Sequence, residues 1–369
     1  MKTICWVVLG FVLFILLGGI IVNSQLVAEG FNSVQRGALT QAPKEKGRFV
    51  NTSPVSPNGL FKMLGVMSRY ITEPQVDKVP EAQIPVVELN RSVLAALAND
   101  TIHVVKLGHS SVLMKVHGEY WLFDPVFCQR ASPFSFVGPK RFHPSPISVD
   151  ALPDIDKVFI SHNHYDHLDK KAIKALAAKT ARFYVPLGVD NSLVEWGVGH
   201  DRIASFDWWQ EEITSVGMVA FTPSRHFSGR GLTDANTTLW GSWVVKASSG
   251  AVYFSGDSGY FDGFTTIGER YGPFDVTLIE TGAYDKDWPD IHMLPEESVK
   301  AHIDLQGKVM IPVHNGTFDL AFHSWYEPME RAVASAQKSG VALSTPVFGD
   351  IVSLASPMRE KRWWREVLE

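Results

Sequence analysis

The sequence predicts an α+β fold, a sandwich of mixed β-sheet with helices packed outside it, and three observations predict it. From Thr101 onward, short runs of β-branched and aromatic residues alternate with Gly, Asp and Pro turns. Segments with helical spacing lie between some of these runs. The chain of 369 residues, 45% hydrophobic and 20% charged, is long and apolar enough to bury a full core. Strands with interspersed helices suit layers of helix on sheet.

The elements follow in chain order. Ile4–Val22 is a nineteen-residue stretch without a charge, close to the ~20 residues that cross a bilayer. A cleaved signal peptide is the rival, but its apolar stretch is shorter and ends in small residues, whereas Ile20, Ile21 and Val22 run straight into Asn23. Residues 1–24 are therefore expected to be a single-pass membrane anchor. Lys2 argues for a cytoplasmic start and Arg36, Lys44, Lys46 and Arg48 against it; the expectation is a catalytic part outside the cytoplasm, periplasmic in a bacterium. Residues 25–83, broken by Pro43, Pro54, Pro57, Pro74 and Pro80, read as a linker that becomes a wrapping arm. Residues 84–369 form the catalytic domain, with no internal repeat in the sequence. Its predicted strands are His103–Leu107, Ser111–Val116, Tyr120–Phe123, Val158–Ile160, Phe183–Val185, Val219–Phe221, Val252–Phe254, Val276–Ile279 and Val309–Val313. Asp169 caps a helix over Lys170–Lys179, and Pro295, Glu296 and Glu297 open another through Ile303.

Composition narrows the chemistry. Lys and Arg number 34 against 39 Asp and Glu, a formal charge of −5, so no broad basic surface for nucleic acid is expected. Cys5 and Cys128 are the only cysteines, which excludes a disulfide framework and a thiolate metal site. The 13 histidines are the distinctive feature. After the strand Val158–Ile160 comes Ser161-His162-Asn163-His164-Tyr165-Asp166-His167, with three histidines and an aspartate in six positions. Imidazole and carboxylate are the nitrogen and oxygen ligands of zinc, and that density outweighs a chance polar turn. Three further strands end in the same way: Val219–Phe221 before His226, Val252–Phe254 before Asp257, and Val309–Val313 before His314. A lone strand-end histidine is usually structural; jointly with the first cluster these residues suffice for two metals.

The set resembles the metallo-β-lactamase superfamily, whose signature is His-x-His-x-Asp-His followed by a later His, Asp and His. More narrowly it resembles the N-acylphosphatidylethanolamine-hydrolysing phospholipase D family, through Gly47–Asn51, Gly138–Phe142, Leu239–Trp243, Gly256–Tyr260, Gly272–Asp275, Gly282–Tyr284 and Pro295–Glu297. The resemblance implies a four-layer αβ/βα sandwich and two Zn2+ ions, with iron or manganese as alternatives. His162, His164 and His226 would hold one ion; Asp166, His167 and His314 the other; Asp257 would bridge. A hydroxide between the metals is the implied nucleophile, and Asp166, Asp257 and His292 are the implied catalytic residues, His292 protonating the leaving oxygen or binding phosphate. The expected partner is a membrane phospholipid, cleaved at its phosphodiester, by a monomer or a homodimer. Lactone or ester hydrolysis at the same metals is the alternative, and a metal-stabilised regulatory protein without turnover the third reading.

Other positions carry blander expectations. His109 braces the fold instead of ligating, and His103, His117, His200, His302 and His323 are structural. Lys140 and Arg141 attract an anionic lipid or sit in a solvated turn. Trp240 and Trp243 fill the core. Arg359–Trp364 is either an interfacial segment or packs its paired tryptophans on the body.

Overall fold

The protein is described by a computed structural model covering residues 42–369, apart from 57–59, 75 and 357–359. The expected anchor, residues 1–24, and most of the first half of the arm lie outside the described residues. Among the described residues no helix is long and apolar enough to cross a membrane.

The arm enters with a two-stranded hairpin, β1 (Lys44–Glu45) and β2 (Arg48–Phe49), whose Phe49 is buried against the body. Helix α1 (Leu60–Thr72) and the short α2 (Arg91–Ala95) follow. The first main sheet contains β3 (Ile102–Gly108), β4 (Ser111–Val116), β5 (Glu119–Phe123), β6 (Ile155–Phe159), β7 (Thr180–Pro186) and β8 (Ile203–Phe206). The second contains β9 (Glu211–Thr214), β10 (Gly217–Thr222), β11 (Ser242–Ala247), β12 (Gly250–Phe254), β13 (Phe274–Glu280), β14 (Gly307–Val313) and β15 (Ala342–Leu343). The last strand, β16 (Ile351–Ser353), returns to the first sheet, giving the orders β16-β3-β4-β5-β6-β7-β8 and β9-β10-β11-β12-β13-β14-β15. In each sheet the first three pairings are antiparallel and the last three parallel. The halves thus share one topology although the sequence shows no repeat.

Helices α3 (Lys170–Leu176) and α4 (Val189–Glu195) cross between the parallel strands of the first sheet. Helices α5 (Gly263–Tyr271), α6 (Pro295–Asp304) and α7 (Glu327–Ser339) do so in the second, and α8 (Trp363–Leu368) closes the chain. Local chemistry sets their ends: the Asp169 carboxylate accepts from Lys171 N, Pro295 opens α6, and Gly340 ends α7 at φ +69°.

Three apolar clusters define the layers. One lies between the sheets, where Phe123, Phe159 and Tyr184 meet Phe221, Trp243 and Phe254; one joins the first sheet to α3 and α4; one joins the second to α5, α6, α7 and α8. The molecule is therefore a helix–sheet–sheet–helix sandwich of the α+β class. Strands β3 and β4 are buried along their whole length because both faces are covered, and the lysines they carry, Lys106 and Lys115, are buried on backbone carbonyls. Trp240 and Trp243 are fully buried, and Trp363 and Trp364 pack on the body, which removes the interfacial alternative for them. Arg141 is buried, donating to the carbonyls of Cys128 and Val126, so the solvated-turn expectation fails there: the carbonyls replace its water.

Candidate metal centre

All the sequence-predicted site residues come together at one edge of the sandwich, at the C-terminal ends of strands. The loop after β6 carries His162, His164, Asp166 and His167; His226 follows β10, Asp257 follows β12 and His314 follows β14. Rigid paired strands hold each loop at its root. Arg230 steadies the first loop by donating to the carbonyls of Asn163 (2.7 Å) and Leu168 (2.8 Å). The arm reaches the same edge: Asn51 donates to the His226 carbonyl (2.7 Å) and accepts from its backbone N–H (3.0 Å).

Three overlapping groups of possible donors result, two of them built on the sequence-predicted ligands and the third joining Asp257 and His314 to Glu280 and His292. In the first, His164 Nδ1 lies 2.9 Å from His162 Nε2 and 3.2 Å from His226 Nε2. The far side of His226 donates from Nδ1 to the Ile291 carbonyl (2.9 Å), so its Nε2 offers a lone pair to the centre. In the second, Asp166 Oδ2 lies 3.4 Å from His314 Nε2 and 3.6 Å from His167 Nε2. Asp257 sits between the groups: Oδ1 is 3.1 Å from His167 Nε2, and Oδ2 is 3.1 Å from His314 Nε2 and 3.7 Å from both His162 Nε2 and His226 Nε2.

The donors fit cations. His167 Nε2, His314 Nε2 and Asp257 Oδ1 are fully buried yet have no hydrogen bond of acceptable geometry. Buried polar atoms without partners are rare because each costs its desolvation free energy. Here they converge, with oxygen and nitrogen donors and no thiolate, which is the chemistry of a borderline divalent ion. Electrostatics agree. Burial pushes His162 and His226 well below the usual imidazole range and His164 down to about 4, which keeps them neutral. Burial raises the carboxyls of Asp166 and Asp257, but neighbouring His167, with His109 and His314, more than offsets it and holds both well below the usual range. Burial likewise opposes protonation of His314, yet Asp257 drives it up to about 10. The paired carboxylates demand positive charge at their centre, from protons or from cations.

Three residues that sequence reasoning missed or set aside complete the surroundings. Asp124, just after β5, accepts from His167 Nδ1 (2.7 Å), Ser161 N (2.7 Å) and Ser161 Oγ (2.6 Å). Glu280, the last residue of β13, accepts from His292 Nδ1 (2.8 Å) and Met293 N (2.8 Å) with its side chain fully buried. His109, read as a brace, places Nε2 3.1 Å from Asp166 Oδ2 and belongs to the same group of possible donors as Asp166, His167 and His314. His109 and His314 both have left-handed backbones, at φ +51° and +61°, and their rings are 4.0 Å apart. Such conformations cost non-glycine residues free energy and gather at functional sites.

The groups open onto a cleft of about 180 Å³ lined by His164, Asp166, Asp257, His292 and His314 and by the apolar Phe227, Ala283, Trp288, Ile291 and Leu320. Polar and apolar lining together suit a reacting polar group attached to an apolar body.

Asp124→Asn is expected to leave the fold intact and weaken metal binding about 10- to 100-fold, as loss of a partner that orients a ligating histidine does. Competition with a chromophoric chelator, with circular dichroism as the folding control, measures this; unchanged affinity would show that His167 is oriented by packing alone.

Comparison with known proteins places these features. The family described as "Beta-lactamase superfamily domain" matches residues 120–315, the stretch from β5 to the residue after His314. An uncharacterized protein of Mycobacterium tuberculosis is 43% identical over 341 residues, covering 89% of each chain. N-acyl-phosphatidylethanolamine-hydrolyzing phospholipase D 1 of Caenorhabditis elegans is 33% identical over 313 residues, covering 81% of this chain and 86% of the relative. Among solved structures, a metallo hydrolase of the archaeon Ignicoccus hospitalis shares the fold at a TM-score of 0.53 and 21% identity, over 69% of this chain and 98% of that one.

Proposed function

The chain belongs to the β-lactamase superfamily, as a relative of the N-acyl-phosphatidylethanolamine-hydrolyzing phospholipases D, and from that membership we propose that it hydrolyses a phosphodiester with two metal ions. The substrate class is N-acylphosphatidylethanolamine or a related glycerophospholipid, cleaved on the head-group side to leave a phosphatidic acid. The carrying observation is Asp257, which lies 3.1 Å from His167 and His314 of one donor group and 3.7 Å from His162 and His226 of the other, at one cleft. His162, His164 and His226 would hold one cation and Asp166, His167 and His314 the other, with Asp257 between them. Bound there, a pair of zinc ions (or iron or manganese) supplies an activated water and neutralises charge on phosphoryl oxygens.

The chain's own residues do the rest. Asp124 and Ser161 fix the His167 and His162 rings, so that their Nε2 atoms face the centre. His292, on the cleft wall, delivers a proton to the leaving oxygen. Phe227, Trp288, Ile291 and Leu320 exclude water and receive apolar chain. The uncharged stretch Ile4–Val22 would hold this cleft at a bilayer, where such a substrate resides. The apolar wall supports a lipid over a small soluble lactone, the second reading for the same metals.

Metal-loaded protein should contain about two ions per chain by elemental analysis and release phosphatidic acid from N-acylphosphatidylethanolamine vesicles. Turnover of lactones or carboxylic esters without any of phosphodiesters would replace this reading with the second. Folded, active protein without metal would overturn both.

A further inference from the structure

Glu280 and His292 stand outside the seven-residue donor set, yet the fold places them with the same care as Asp124 and His167. Each half sends a buried carboxylate from the end of a strand to the Nδ1 atom of a histidine at the centre, from the fourth strand of the order in one sheet and the fifth in the other. In the first half Asp124 follows β5 and holds His167 Nδ1 at 2.7 Å; in the second Glu280 ends β13 and holds His292 Nδ1 at 2.8 Å. Glu280 is gripped on every side. Its Oε1 accepts from Met293 N (2.8 Å), its backbone N–H donates to Ser255 Oγ (2.9 Å), and its carbonyl accepts from Ser298 Oγ (2.7 Å).

The outcome differs between the halves. The His167 side chain is fully buried with Nε2 directed at Asp257, whereas the His292 side chain keeps 14% exposure and lines the open cleft. A carboxylate on Nδ1 fixes the tautomer, sets the ring plane and stabilises the protonated ring, and it leaves Nε2 as the atom that meets solvent or substrate. Among the described residues, His292 is the one side chain that donates to the Glu280 carboxylate, which is 0% exposed and also lies within ligand distance of Asp257 and His314.

We propose that Glu280 is a positioning residue that fixes His292 with Nδ1–H on its carboxylate and Nε2 toward the cleft, so that His292 acts as the acid for the leaving oxygen. The inference rests on the phosphodiester reading only for the bond that is cut. As water adds to phosphorus, losing one proton to solvent and keeping the other on the phosphate product, the bond to the leaving oxygen breaks and the Nε2 proton moves to that oxygen. The ring is left neutral, still donating Nδ1–H to Glu280, and takes its proton back from solvent.

The test uses metal-replete wild type, Glu280→Gln, Glu280→Asp, His292→Ala and the double variant Glu280→Gln/His292→Ala. An alkyl alcohol needs a proton to leave and p-nitrophenol does not. Glu280→Gln should therefore lose about 10²-fold in kcat on an alkyl phosphodiester, as removal of general-acid help does, and about tenfold less than that on the p-nitrophenyl ester. Glu280→Asp should recover part of the loss. The double variant should be no worse than His292→Ala, because one residue acts through the other. Equal losses on both leaving groups, or additive losses in the double variant, would overturn the proposal. A wild type that cleaves carboxylic esters alone would remove the phosphodiester reading, and the same alkyl-against-aryl comparison on esters would then decide the dyad. Independently of substrate, nitrogen NMR of the His292 ring should show a protonated Nδ1 in wild type at every pH and a partly unprotonated Nδ1 in Glu280→Gln; an unprotonated Nδ1 in the wild type would refute it.

Discussion

Asp257→Asn is expected to lower kcat by about 10³-fold in protein supplied with saturating metal, equivalent to about 4 kcal/mol of transition-state stabilisation. Both carboxylate oxygens are committed: one lies 3.1 Å from His167 Nε2 and the other 3.1 Å from His314 Nε2, and the side chain is almost fully buried. An amide of the same shape turns one oxygen into an NH2 group, which meets either a cation or an imidazole N–H with the wrong polarity. It also removes a negative charge from a site where the other two carboxylates, Asp166 and Glu280, each serve one donor group. Elemental analysis, melting temperature and kcat on the same preparation separate loss of metal from loss of rate. Retention of most activity with two ions bound would show that Asp257 does not join the two groups.

The second large effect is expected at a residue without a side chain. A methyl group at Gly282 would lie 2.2 Å from the His314 carbonyl oxygen, which is backbone and cannot turn aside. Gly282 follows β13 and His314 follows β14, a parallel pair joined in register up to Glu280 and Val313. Gly282→Ala must push these strand ends apart, moving His314 with them. The stability loss should be about 1–3 kcal/mol, as for other overpacked sites. The rate should fall about 10²-fold, because a displacement near 1 Å at a catalytic group costs that much. Thermal unfolding and kcat measure the two; wild-type activity with a lowered melting temperature would mean that the centre tolerates the shift.

How much was readable beforehand depends on how local each feature is. His162, His164, Asp166 and His167 lie in one short loop, so their density alone marked the site. His226, Asp257 and His314 each follow an apolar run, and the strand-then-turn pattern exposed them. Asp124 and Glu280 follow the same pattern, but a single carboxylate at a strand end is commonplace, and what distinguishes them is a histidine 43 or 12 positions away. His109 was set aside because the donors already sufficed; its 3.1 Å approach to Asp166 depends on the packing of β3 beside the loop after β6. Of the strands, β9 (Glu-Glu-Ile-Thr) was invisible because it is a half-exposed edge with two adjacent charges. The shared topology of the halves could not be read at all, since strand order is a property of long-range pairing and leaves no sequence period.

That shared topology has a mechanical meaning. His162, His164, Asp166 and His167 hang from the first sheet, whereas His226, Asp257 and His314 hang from the second. Each cation would thus be gripped from both sides of the seam, and neither half holds a complete set. Its binding free energy, about 2.7 kcal/mol per site at a hundred times Kd, resists the sliding or parting of one sheet against the other and adds nothing against fraying of the terminal helix α8. The ions act as rivets: chelation should speed exchange of amides at β6 and β14, whose ends carry donors from opposite sheets, while leaving those of α8 as they were, and two separately produced halves should find each other more tightly when zinc is present.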